Sequence, residues 1–86
     1  MTYTAQDAAA SYSEIALKLA QAISQTREVK NRCEFISEKM NDNNDPGFEL
    51  SEALEKLGIA LSSAVIYADE YAKECAKESK TSTSEK

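Results

Sequence analysis

The feature that most constrains this chain is a pattern of mainly apolar residues that advances by alternating steps of three and four. In the first half of the chain the pattern runs through Tyr12, Ile15, Leu19, Ala22, Thr26, Val29, Cys33, Ile36 and Met40. In the second half it runs through Leu50, Leu54, Leu57, Leu61, Ala64, Ala68, Tyr71 and Cys75. A heptad pattern of this kind places one continuous stripe on one face of an α-helix. We call the two stripes the first and second seams, and they predict two long helices.

Residues that break helices are confined to the stretch between the seams. The chain has two glycines and one proline, and Pro46 and Gly47 are adjacent. Thr4, with Asp7 three residues later, predicts a capping box where the first helix begins. Asp45 before Pro46 predicts an N-cap for the second helix. The predicted organisation is a cap segment at residues 1–4, a helix at about 5–41, a turn at about 42–45, a helix at about 46–78 and a disordered polar tail at 79–86.

A turn this short predicts that the second helix returns antiparallel beside the first. The predicted fold class is therefore all-α, an antiparallel two-helix hairpin. Folding the chain about the turn pairs residues whose numbers sum to about 91, which places Leu19 beside Ala72 and Cys33 opposite Gly58. The small glycine is expected to let the two helices approach closely beside the sulfur.

Apolar residues outside the seams predict that the hairpin completes a four-helix bundle, by dimerisation or with a partner. A chain of 86 residues lies near the lower limit of what a hydrophobic core stabilises alone. The expected partner is a second copy of the chain or another helical protein. The residues expected to bind it are Leu19, Ile23, Val29, Ile36, Leu54, Leu57, Leu61, Ile59, Val65 and Ile66. The last three are expected to form an open apolar flank on the second helix.

The residue types required by most catalytic and metal sites are missing or misplaced. The chain has no histidine, which excludes Ser–His and Cys–His nucleophile pairs and histidine-based metal sites. The turn has the Asp and Asn residues of a calcium loop, but Pro46 and Ala53 stand where such a loop requires other residues. We therefore predict no catalytic residues, no metal site and no cofactor, and we expect the protein not to be an enzyme.

Both cysteines occupy seam positions, where a thiol packs as a small apolar group. In the predicted register Cys33 and Cys75 lie roughly 25 Å apart along the helix axis, at 1.5 Å per residue. A disulfide within one chain is excluded at that distance. The alternative interpretation is an intersubunit or redox role for these thiols.

The charge balance argues against two classes of partner. The formal net charge of −5 is unsuited to nucleic acid and to electrostatic docking on an anionic membrane. The longest apolar run, at residues 64–68, is far shorter than a membrane span. The N-terminal sequence has neither the basic start nor the apolar stretch of a signal peptide. We expect a cytoplasmic protein, while secretion without a cleaved signal stays open.

The segment VKNRCEFISEKM, followed by LSEALEKLGIALSSAVIYADEY, resembles the N-terminal helical bundle of mixed-lineage-kinase-domain-like executioners and related cell-death bundles. In those bundles a helix with a basic–Asn–basic run near a cysteine is followed by a helix with Leu-x-x-x-Leu spacing. The resemblance covers about residues 15–71. It implies a protein that oligomerises and disrupts membranes.

The function expected from the residues themselves is a non-enzymatic helical interaction module that self-associates or pairs with a helical partner. One alternative is a small chaperone, immunity or antitoxin-type adaptor that covers an apolar helix of another protein. A second alternative, implied by the resemblance, is a cell-death-type bundle that perturbs membranes.

The second seam is tested by the substitution Leu57→Asp. A carboxylate at this position loses its hydration when the seam is packed, so the variant should unfold or dissociate. Circular dichroism and the mass in solution measure both effects. A variant as helical, stable and associated as the parent would contradict the placement of this seam.

Overall fold

The computed structural model describes the backbone of residues 2–42 and 44–84 and the side chains of residues 2–42 and 44–77. Two helices make up the fold, α1 at Ala5–Met40 and α2 at Gly47–Ser84. They pack against each other as an antiparallel hairpin, a rod with extents of 73 × 19 × 15 Å. The predicted all-α hairpin is confirmed, and the residues described contain no strand.

A capping box begins α1, as the sequence predicts. The hydroxyl oxygen of Thr4 accepts the backbone N–H of Asp7 at 3.1 Å. In return, Asp7 Oδ2 accepts the backbone N–H of Thr4 and its hydroxyl proton, each at 3.0 Å. These bonds favour the ionised carboxylate, so the backbone N–H of Thr4 and then its hydroxyl lower the pKa of Asp7.

A Schellman motif ends α1. Asn41 adopts the left-handed conformation, with φ 52° and ψ 44°. Its N–H donates to the carbonyl of Glu38 at 3.3 Å, and the N–H of Asp42 donates to the carbonyl of Ser37 at 3.0 Å. These bonds satisfy helix carbonyls that have no partner within α1. Because the Ser37 hydroxyl also donates to the carbonyl of Asp42, the chain is held against α1 as it leaves the helix.

Asp45 caps the start of α2. Its Oδ1 accepts the backbone N–H of Gly47 at 2.7 Å, and the carbonyl of Pro46 accepts the N–H of Leu50 at 2.9 Å. Glu49 lies in the first turn, where the positive end of the helix dipole favours a carboxylate. The Asp-Pro pair therefore has the capping role that the sequence predicts.

The two helices pair in a different register from the predicted one. Tyr12 packs against Tyr67 and Tyr71, with ring centroids 5.4 and 6.0 Å apart, and these pairs sum to 79 and 83. Near the same end, Ala5 and Ala8 line one depression with Tyr71. The predicted sum of about 91 is therefore wrong by roughly ten residues, which displaces α2 along α1 by about 15 Å at 1.5 Å per residue.

The turn accounts for this displacement. Its described residues lie along the last turns of α1, where Cys33, Ser37 and Met40 line one depression with Asp45 and Pro46. Consequently the first residues of α2 lie beside the last turns of α1, and not level with the end of α1. The heptad pattern does not oppose such a slide, because its steps alternate between three and four, so that a slide of about seven or about ten residues again brings seam residues opposite seam residues.

The displaced register also separates residues that were expected to meet. Gly58 does not face Cys33, since a Cβ built on Gly58 would meet nothing within 4 Å. The predicted close approach of the helices is therefore wrong, and so is the pairing of Leu19 with Ala72. Cys33 and Cys75 are free, half-buried thiols. Their separation along the axis increases to about 40 Å at 1.5 Å per residue.

The hairpin has almost no fully buried core. Among the described residues only Ala8 and Ala64 are buried hydrophobic side chains, with exposed fractions of 8% and 4%. The chain exposes 6945 Å² of surface. A compact monomeric protein of this length exposes about 5,000 Å². The excess follows from the architecture, because each helix of an isolated pair has one neighbour only.

Helix α2 extends further than predicted, to Ser84 rather than to about Glu78. No glycine or proline follows Gly58 in the sequence, so this stretch contains no strong helix breaker. The side chains from residue 78 onward and the whole of residues 85–86 lie outside the described part of the chain. The disordered tail at 79–86 stays a prediction.

The two glycines should respond in opposite ways to substitution by alanine. Gly58→Ala should raise the free energy of unfolding by about 1 kcal/mol, because alanine favours the helix and the added methyl meets open space. Gly47→Ala should lower it by about 1 kcal/mol, because its Cβ would lie 2.6 Å from Asp45 Oδ1 and disrupt the cap.

Urea unfolding followed at 222 nm, with all three proteins at one concentration, measures both changes. Destabilisation by Gly58→Ala would show that the helices approach closely there, as in the predicted register.

The Asp7 cap predicts a defined dependence of stability on pH. The folded-state pKa lies below the ordinary value of 3.8, so the cap stabilises the helix fully above that value. This stability is lost as the pH falls through the lowered pKa. The difference in stability between the parent and Asp7→Asn, measured by urea unfolding, should therefore shrink on acidification. A difference that is constant from neutral pH to pH values well below 3.8 would contradict the charged cap.

Candidate functional site: an exposed apolar face

The ten residues expected to bind a partner fall into two groups. The residues half-buried between the helices are Leu19, Ile23, Leu54, Leu57 and Leu61. The exposed residues are Val29, Ile36, Ile59, Val65 and Ile66. The first group holds the hairpin together, so the exposed group is the one open to a partner.

Four large apolar side chains are exposed along one side of α1. The exposed fractions are 44% for Ile15, 48% for Val29, 58% for Ile36 and 71% for Met40. At about 100° per residue these side chains lie within roughly 60° of one another on the helix surface. We call these four residues the α1 flank.

The α1 flank is exposed because other residues of α1 face α2. Ala16, Lys30 and Ser37 are half-buried, and each directly follows a residue of the α1 flank in the sequence. Ile15, Val29 and Ile36 therefore lie at the edge of the contact between the helices and not in its centre, and Ile36 lines a depression with Asp45 and Pro46. The apolar stripe on α1 is wider than one neighbouring helix covers, and the uncovered part contains large side chains.

Helix α2 contributes to the same side of the hairpin. Ala8 of α1 and Glu74 of α2 line one depression, so the helix sides that carry them adjoin. Steps of seven residues return to nearly the same side of a helix, and they lead from Ala8 to Ile15 and from Glu74 to Tyr67 and Ala60. Tyr67 is 47% exposed, and Ala60 is exposed as well. We call the α1 flank together with Ala60 and Tyr67 the shared face.

A second apolar group lies on the outer side of α2. Phe48, Ile59 and Ile66 are 73%, 61% and 55% exposed. They lie within about 20° of one another, nearly opposite the side that faces α1. We call these three residues the outer row. Val65, 53% exposed, lies about 100° from them, so the expected flank of Ile59, Val65 and Ile66 is not one continuous surface.

The sequence analysis also overlooked exposed apolar residues that lie off the seams. Leu17 is 61% exposed and Phe35 is 59% exposed, on the side of α1 away from α2. The ammonium of Lys39 lies over the Phe35 ring, 5.4 Å from its centroid, which partly covers this ring. Leu17 and Phe35 are eighteen residues apart, a whole number of helical turns, and this spacing is the sequence signal that could have placed them on one side of α1.

Polar contacts do not build a site on these surfaces. The ion pairs of the described residues all join positions four apart within one helix, as in Lys73–Asp69 at 3.0 Å and Lys18–Glu14 at 3.4 Å. Exposed pairs of this kind contribute little stability. Within the described part of the chain, no group of three or more Cys, Asp or Glu side chains converges in a way that could hold a metal ion. The contacts that the hairpin offers a ligand are therefore mainly apolar.

Neither helix, as far as the structure describes it, has a stretch both long enough and apolar enough to cross a bilayer. Comparisons of the chain with models of known protein families, with curated proteins and with solved structures found no match. The resemblance to cell-death bundles therefore stays a prediction.

Proposed function

We propose that this protein is a non-enzymatic helical interaction module that associates with a second copy of itself to form a four-helix bundle. The observation that supports the proposal is the shared face. Its large side chains, Ile15, Val29, Ile36, Met40 and Tyr67, are between 44% and 71% exposed. They lie on one side of a hairpin that has almost no buried core.

The energetics favour covering this side. Burying apolar surface contributes about 25 cal/mol per Å², so covering five large side chains that are each 44% to 71% exposed is favourable. A second hairpin would give each helix two neighbours instead of one, as in four-helix bundles. Association would thereby supply the core that one hairpin lacks.

The outer row favours a second candidate function, that of an adaptor which covers an apolar helix of another protein. Phe48, Ile59 and Ile66 lie on the opposite side of α2 from α1. They are eleven and seven residues apart, about three and two helical turns, so a partner helix lying along this side of α2 could contact all three. In this alternative the outer row, rather than the shared face, is the functional surface.

The mass of the purified chain across a concentration series tests the proposal, with circular dichroism measured on the same samples. A self-associating module should show twice the chain mass at micromolar concentrations, and its helicity and midpoint of unfolding should rise with protein concentration. A folded monomer throughout the series would contradict self-association and would favour the adaptor.

A further inference from the structure

We infer that the second copy packs its own shared face against this one with the twofold axis parallel to the rod, so that α1 of each copy lies against α2 of the other. The inference deepens the proposed self-association and rests on it. It adds which surface is buried and how the two copies are oriented.

The size of the shared face matches what a stable dimer requires. In the observed register the helices lie side by side over about 30 residues, or roughly 45 Å at 1.5 Å per residue. The hairpin is 19 Å wide, so one side of this block covers about 850 Å². Two copies face to face would therefore cover about 1,700 Å², the size of a typical specific interface. The ends of α1, with Ile36 and Met40, would add to this area.

Two twofold arrangements bring the shared face against itself. With the axis parallel to the rod, α1 contacts α2 of the second copy. With the axis across the rod, α1 contacts the other α1 and α2 contacts the other α2. Both arrangements bury the same apolar residues, so the distinction between them must come from charge.

The charge of the two helices differs. Helix α1 has five acidic and five basic residues, whereas the described side chains of α2 include six acidic and three basic ones. Contact between two copies of α2 would bring together two helices whose described side chains each have a net charge of −3, which costs free energy. Contact between α1 and α2 avoids this repulsion, and it therefore favours the axis parallel to the rod.

One pair of opposite charges follows from this arrangement. Arg32 and Glu49 lie level with each other in the observed register, since their numbers sum to 81. Both are exposed; Glu49 lies eighteen residues from Tyr67, a whole number of helical turns, and so belongs to the α2 side of the shared face, whereas Arg32 lies about 40° beyond Ile36 at the border of the α1 flank. Within one hairpin Arg32 lies at the border of the face that is remote from α2, and so it is separated from Glu49 by the width of the α1 flank. In the dimer, Arg32 of one copy would lie beside Glu49 of the second copy.

Lysine substitutions identify the buried surface by sedimentation equilibrium. Val29→Lys places a charge in the shared face and should weaken dimerisation at least about tenfold. The matched controls are Leu17→Lys on the back of α1 and Ile66→Lys in the outer row, both at least as exposed as Val29. Each control should change the dissociation constant by less than about threefold.

A distance measurement identifies the orientation. Spin labels attached through Lys39→Cys, with Cys33 and Cys75 replaced by serine, report the separation of the two α1 ends. With the axis parallel to the rod both ends lie together, and the labels should be less than about 35 Å apart. With the axis across the rod they should be more than about 50 Å apart, given 1.5 Å per residue.

If the cysteine-free chain does not fold, substitutions of Arg32 and Glu49 in the chain that keeps its cysteines distinguish the two orientations. Arg32→Glu and Glu49→Arg should each weaken dimerisation about two- to fivefold, and the double variant should recover the parent value. If the increase in the dissociation constant of the double variant is the product of the two single increases, the inferred orientation is overturned.

The outcomes separate the inference from the proposed function. A dimer that survives Val29→Lys and is dissociated by Ile66→Lys would overturn the shared face and leave self-association intact. A dimer dissociated by Val29→Lys but with distant labels would overturn the orientation alone. A parent chain that stays monomeric would overturn the proposed function together with the inference.

Discussion

Two helices lying side by side can shield from water only the strip along which they touch, and the rest of this structure depends on that limit. The strip is lined by leucines from α2 and by Leu19, Ile23 and smaller residues from α1, and among the described hydrophobic residues only Ala8 and Ala64 are buried. Apolar residues that one neighbour cannot cover stay on the surface. The properties of the surface are therefore set by the number of helices as much as by the residues themselves.

Polar interactions specify where each helix begins and ends but not how the helices sit against each other. The Thr4–Asp7 box, the left-handed Asn41 and the Asp45 cap are all contacts between residues close in sequence. The ion pairs of the described chain are equally local. Between the helices, the most specific contact that the structure describes is the packing of the Tyr12 ring, stacked on Tyr71 and tilted against Tyr67.

This division explains what the sequence could predict. Caps and breakers act locally, so the two helices, the capping box and the antiparallel return follow from residue types and spacing. The register does not, because heptad seams match again after a slide of about seven or about ten residues. The sequence also did not show which side of α1 faces α2, for a related reason. Where apolar residues occupy both Ile15 and Ala16, or both Ala22 and Ile23, the pattern does not show which of the two faces the neighbouring helix.

The candidate surface was therefore only partly predictable. Val29 and Ile36 were assigned to a partner as members of the seam, and the structure shows them exposed along its edge. Phe48 and Leu17 had no place in a heptad description at all. Their positions relative to a neighbouring helix become clear only once the register and the rotation of each helix are known.

The turn that lies back along α1 also sets the position of α2 along α1. Because the seams tolerate sliding, the length of chain between Asn41 and Asp45 decides which stretch of α2 lies against which stretch of α1. An insertion or deletion in this turn could therefore change the overhang at both ends of the rod without altering a single seam residue. In hairpins of this kind, a change in loop length during evolution can alter the shape of the molecule even where every residue in contact is unchanged.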